Sequence, residues 1–109
     1  MAKQDDVERV LKDVKLAISQ GKFYPINRTK NLKTLAKMGI TWEDAKDEIY
    51  ELTLSNYVKG PMKDRDFPDT DLFWVFKKQM NGQLIYIKFK ILYSEDSSLK
   101  LVSFHIDEM

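Results

Sequence analysis

The chain is expected to fold as an α+β domain, with N-terminal helices packed on one face of a small antiparallel sheet. Three observations carry this expectation. Apolar residues recur at helical spacing through the first half of the chain. An Asn81-Gly82 dipeptide sits between two strand-like runs. Helices precede strands without alternating with them, which favours separated layers over a parallel βαβ arrangement.

Val7, Val10, Leu11, Val14, Ala17 and Ile18 form the first helical stripe, with Asp5 and Asp6 as its expected caps and Gly21 as its stop. A shorter helix is expected over residues 31–38, turning Leu32, Leu35 and Ala36 inward and stopping at Gly39. Thr41-Trp42-Glu43-Asp44 reads as a capping box with Asp in place of Glu. The helix it opens buries Ala45, Ile49 and Leu52. Periodicity is then lost over residues 53–70, where Gly60, Pro61 and Pro68, with Asp64, Asp66, Asp69 and Asp71 nearby, mark a long polar loop.

Strands are expected over residues 72–80, 83–93 and 99–106. A two-residue turn at Asn81-Gly82 pairs Trp74 with Phe89, Phe76 with Ile87 and Leu72 with Ile91 on one apolar face. The opposite face then collects Phe73, Val75 and Lys77 against Lys90, Lys88 and Tyr86. In the third strand Val102, Phe104 and Ile106 form the apolar set, while Leu101, Ser103 and His105 point away. An even connection, residues 94–97, puts His105 opposite Tyr86. An odd one would bury His105 beside Ile87 unless a bulge corrected it, and the even connection is preferred because it keeps the apolar sets together.

Composition narrows the chemistry. With 109 residues the chain makes one domain, 1–109. Cysteine is absent and His105 is the one histidine, which excludes disulfides, thiolate catalysis and Cys- or His-rich metal centres. No cofactor is expected. Residues 1–6 lack the apolar core of a signal peptide and no run reaches membrane-spanning length, so a cytoplasmic protein without a membrane partner is expected. The net charge of only +1 means that a nucleic-acid surface here would need its cations concentrated on one face.

The face holding Tyr86, Lys88, Lys90, Lys77 and His105 offers that concentration. Cleavage of RNA by its own 2′-hydroxyl needs a base, an acid for the leaving 5′-oxygen and cations for the phosphorane. Imidazole exchanges protons near neutral pH, lysines supply cations, and a tyrosine can position a phosphate or stack on a base. The same residues also suit a plainer role. Sheet lysines commonly serve solubility, a lone histidine is more often structural, and a tyrosine is often a cross-strand packing partner. Trp42, Trp74 and the phenylalanines read as core, and Lys22, Lys30, Lys33 and Lys37 as solvated surface.

Collinear segments shift that balance. Asn27-Arg28-Thr29, Thr34 through Ile40, Leu54 through Lys59, Trp74-Val75-Phe76, Gly82-Gln83, Tyr86-Ile87-Lys88 and Val102-Ser103-Phe104-His105 together resemble MqsR-type toxins over nearly the whole chain. The resemblance implies a RelE-like fold, metal-independent endoribonuclease activity on mRNA and a cognate antitoxin partner. By position it implies catalytic roles for Lys59 and Tyr86. His105 stands where the best-known member has lysine, a departure that keeps a proton-transferring group. An active-site glutamine of the family has no clear counterpart near Trp74 and Val75. His105, Tyr86 and Lys59 are thus the expected catalytic residues, with Lys88, Lys77 and Lys90 binding substrate. A non-catalytic RNA- or protein-binding module of the same fold is the alternative.

Overall fold

The computed structural model describes residues 3–66 and 71–108. Three helices, α1 (Gln4–Ser19), α2 (Thr29–Met38) and α3 (Trp42–Tyr50), accompany five strands: β1 (Phe23–Pro25), β2 (Tyr57–Met62), β3 (Phe73–Met80), β4 (Gln83–Leu92) and β5 (Ser98–Ile106). The strands form one mixed sheet in the order β1-β5-β4-β3-β2, with β1 parallel to β5 and the other pairs antiparallel. The α+β class holds, and the sheet gains two strands beyond the three expected. No helix among the described residues is long and apolar enough to cross a membrane.

In α1 the stripe Val7, Val10, Leu11, Val14 and Ala17 is buried as its spacing requires. Its N-cap is Lys3, with no side-chain capping bond, so Asp5 and Asp6 act as first-turn charges at the positive end of the helix dipole and not as caps. The Thr41–Asp44 capping box of α3 forms with both reciprocal bonds, and Ala45, Ile49 and Leu52 are buried. In α2 only Leu35 of the expected apolar trio is buried; Leu32 and Ala36 face solvent, and Asn31 and Thr34 are buried instead. The reason is an edge. Strand β1 covers β5 only along Leu99–Leu101, and α2 covers the rest. Asn31 Nδ2 donates to Ile26 O and Val102 O at 3.0 Å each, its Oδ1 accepts from Phe104 N at 3.0 Å, and Thr34 Oγ1 accepts from Ile106 N at 3.2 Å. Two polar side chains therefore supply what a sixth strand would have supplied.

The β3–β4 hairpin pairs Trp74 with Phe89, Phe76 with Ile87 and Lys77 with Tyr86, as expected. Asn81 and Gly82 take positive φ of 50° and 80°, the conformation of a type I′ turn. Leu72 precedes the ladder and is exposed, so its expected pairing with Ile91 does not form.

The β4–β5 connection is the odd one, residues 93–97, and a bulge restores the register: Phe89 pairs with Leu101 while Lys88 pairs with Ser103. Val102 is the extra residue. Up to Leu101 the core-facing set is Leu99 and Leu101, both fully buried, and beyond the bulge it is Phe104. Leu101 thus corrects the expected alternation, and Val102 is only half-buried.

Residues 53–62 are likewise more ordered than a loop. They contain a 3₁₀ turn, Leu54–Asn56, and then β2 at the sheet edge. An edge strand tolerates the Gly60-Pro61 pair that would break a central one. Pro68 and Asp69, counted among the loop signals, lie outside the described residues.

Candidate nucleic-acid interface

The sheet register builds the face opposite the helices in rows. Lys59, Val75, Lys88 and Ser103 stand opposite one another across β2, β3, β4 and β5. The next row is Lys77, Tyr86 and His105. On the other side lie Phe73, Lys90 and Lys100. Partners in a ladder share a face, so Lys59 joins the sheet site through its strand.

Tyr86 and His105 are half-buried, with rings stacked 5.2 Å apart between centroids and 17° from parallel. His105 Nδ1 lies 3.1 Å from Ile106 O. A carbonyl only accepts, so this bond puts the ring proton on Nδ1 and leaves Nε2 as the basic nitrogen of the neutral ring. That arrangement holds the imidazole against the sheet by stacking on one side and a hydrogen bond on the other.

The lysines divide into two groups. Lys77 Nζ is 2.7 Å from Asp107 Oδ2, with both side chains largely covered. Lys90 Nζ is 3.1 Å from Asp64 Oδ2, and Lys90 is only 4% exposed. Both lysines, expected to bind substrate, are paired with carboxylates on this face, Asp64 bringing the segment after β2 onto the sheet. Phe73 lies between Lys88 and Lys90, whose ammonium nitrogens are 4.4 and 4.6 Å from its ring centroid. With Val75 fully buried and Ser103 nearly so, this face is partly a second packed layer and not the wholly open surface expected from alternation.

Lys88 and Lys59 are different. Neither makes an ion pair among the described residues, and Lys59 is exposed. Arg28, a residue the strand pattern could not reveal, joins them: its Nη1 donates to Ser103 Oγ at 3.2 Å, bringing the exposed guanidinium to the end of the Lys59–Lys88 row. Its only signal in the sequence is its place in Asn27-Arg28-Thr29. Acidic residues gather elsewhere, notably Glu43, Asp44, Asp47, Glu48 and Glu51 on and just after α3. The net charge of +1 therefore conceals an uneven distribution.

A hollow of about 480 Å³ between α1 and the sheet, lined by Val10, Leu72, Trp74 and Tyr93 among others, contains none of these residues. Among the described residues no group of three or more His, Cys, Asp or Glu side chains could hold a metal ion.

A helix-backed sheet whose outer face carries a stacked Tyr–His pair beside Lys59, Lys88 and Arg28 defines a small α+β protein with cations gathered on one sheet face. The chain belongs to the family described as motility quorum-sensing regulator, toxin of MqsA, which it matches over residues 8–106. It is thus an MqsR-type toxin of a toxin–antitoxin system, a family with an antitoxin partner. No curated protein matches it.

Proposed function

We propose that this toxin is a metal-independent endoribonuclease of the cytoplasm, a single RelE-like domain that cleaves mRNA by attack of the 2′-hydroxyl on the adjacent phosphate. The supporting observation is the Tyr86–His105 stack beside the Lys59–Lys88 row. His105 Nε2 takes the 2′-hydroxyl proton, O2′ bonds to phosphorus, and the bond to the 5′-oxygen breaks. The products are a 2′,3′-cyclic phosphate and, once the His105 imidazolium or water returns a proton to the leaving oxygen, a 5′-hydroxyl. Lys59, Lys88 and Arg28 meet the charge that develops on the phosphorane oxygens. Tyr86 orients the imidazole and offers its edge or hydroxyl to the substrate.

The test is expression of wild type and His105→Ala from a tight inducible promoter, with 5′ ends of cellular mRNA mapped and folding checked by circular dichroism. New 5′-hydroxyl ends at a recurring short sequence, lost in the variant, are expected. Intact transcripts from a folded wild type that still retains RNA at low salt would favour a non-catalytic binding module. The histidine at position 105, where the best-known member of the family has lysine, and the net charge of only +1 give that second reading its support.

A further inference from the structure

Helix α2 does more than close the edge of β5. Leu35 turns under the sheet into the core, while Asn31 and Thr34 face the strand edge. At about 100° per residue, Lys30, Lys33 and Lys37 then fall together on the flank away from Leu35, the side of the sheet that carries His105. All three are exposed. Arg28, which precedes the helix, reaches the same side through Ser103. With Thr34, Ile106 and Glu108 the three lysines line a shallow groove of about 210 Å³.

The lysines of this flank outnumber its carboxylates. Helix α2 contains no acidic residue, and none of Lys30, Lys33 and Lys37 makes an ion pair among the described residues. Arg28 and Lys30 stand at the positive end of the helix dipole, where basic residues are unfavourable without an anion. Like charges three and four residues apart repel as well. Among the described residues lining the groove, Glu108 alone is acidic.

We propose that Lys30, Lys33 and Lys37 form a phosphate track that carries single-stranded RNA away from the Tyr86–His105 row, extending the bound segment beyond the scissile phosphate. The proposal rests on the ribonuclease reading of the sheet face. Arg28 is the link between the two surfaces. Over the stripe the helix rises roughly 10 Å, so the contact is to backbone charge and is independent of base sequence.

The test uses 2′-O-methyl oligonucleotides of mixed sequence, which lack the attacking hydroxyl, in lengths of about 4 and about 15 nucleotides, bracketing common single-strand site sizes. Binding to wild type and to a Lys30→Gln, Lys33→Gln, Lys37→Gln triple variant is followed by fluorescence anisotropy across a salt series. The long probe should lose a salt slope of about 2 in the variant, at roughly 0.7 per phosphate contact. The short probe should bind both proteins alike. An unchanged long-probe slope, with wild-type binding intact, overturns the track and leaves the sheet site standing. Failure of the wild type to bind either probe at low salt removes both. Displacement of the long probe by polyglutamate from wild type, but not from a variant that retains the full slope, assigns the flank to an acidic protein and overturns the proposal.

Discussion

Tyr86 and His105 face each other across β4 and β5 with their rings stacked, and the pairing depends on a bulge at Val102 that returns an odd connection to register. The imidazole is therefore oriented by an aromatic neighbour and by a backbone carbonyl, both anchored in the sheet. Separating those supports is a test of the proposed chemistry. Tyr86→Phe keeps the stack and should lower cleavage less than Tyr86→Leu, which removes it. His105→Ala should cost about 10²- to 10⁴-fold, the range of general acid–base catalysis. Single-turnover cleavage with folded variants measures all three, and a fully active Tyr86→Leu would disconnect the stack from the reaction.

His105→Lys should preserve part of the activity and shift its pH optimum upward. A lysine amine is basic only once deprotonated, which for an ordinary lysine requires pH near 10. A pH–rate profile identical to wild type would exclude this position as the base.

Asn31 is fully buried and makes three hydrogen bonds, two of them along the edge of β5. Asn31→Ala strands the buried amide of Phe104 and the partly buried carbonyls of Ile26 and Val102, and should cost about 3 kcal/mol in urea unfolding. Thr34→Val, which loses the single bond to Ile106, should cost about 1 kcal/mol.

Gly60 lies flush against β3. A Cβ there would sit 2.8 Å from Phe73 O and 3.0 Å from Trp74 Cα, at a φ of 122° that L side chains rarely adopt. Gly60→Ala should destabilise by about 2 kcal/mol and also weaken cleavage by displacing Lys59, its neighbour on β2. Wild-type stability and rate in this variant would show that the edge strand yields freely.

Tyr93, 54% exposed, has a pKa raised above the ordinary tyrosine value by partial burial and by its hydrogen bond to Asp13. A raised folded-state pKa adds stability below the unfolded value, and this is lost as pH rises from there through the folded one. Thermal melts should therefore show wild type losing more stability than Tyr93→Phe as pH increases beyond about 10. Parallel losses would mean that the hydroxyl contributes nothing to folding.

What the sequence disclosed follows the range of the interactions. Asn81-Gly82 fixed the hairpin pairs because a two-residue turn leaves one register, and Thr41–Asp44 announced its helix because capping is local. Strand β1 is three residues long and has no alternation to read. Strand β2 contains Gly60-Pro61, which reads as a turn unless its place at an edge is known. The site was legible for Tyr86 and His105, whose pairing survives although the connection length did not. It was illegible for Arg28, and for the roles of Lys77 and Lys90, because their partners Ser103, Asp107 and Asp64 come from distant parts of the chain.

The edge of β5 covered by α2 also has a kinetic meaning. The amides of Phe104 and Ile106 are held by side-chain oxygens of Asn31 and Thr34 and not by a neighbouring strand. Their exchange with deuterated water is governed by detachment of one helix, a local opening, and not by separation of the sheet. The two amides flanking His105 thereby report how often α2 leaves the edge of β5, and RNA lying along α2 would slow both together.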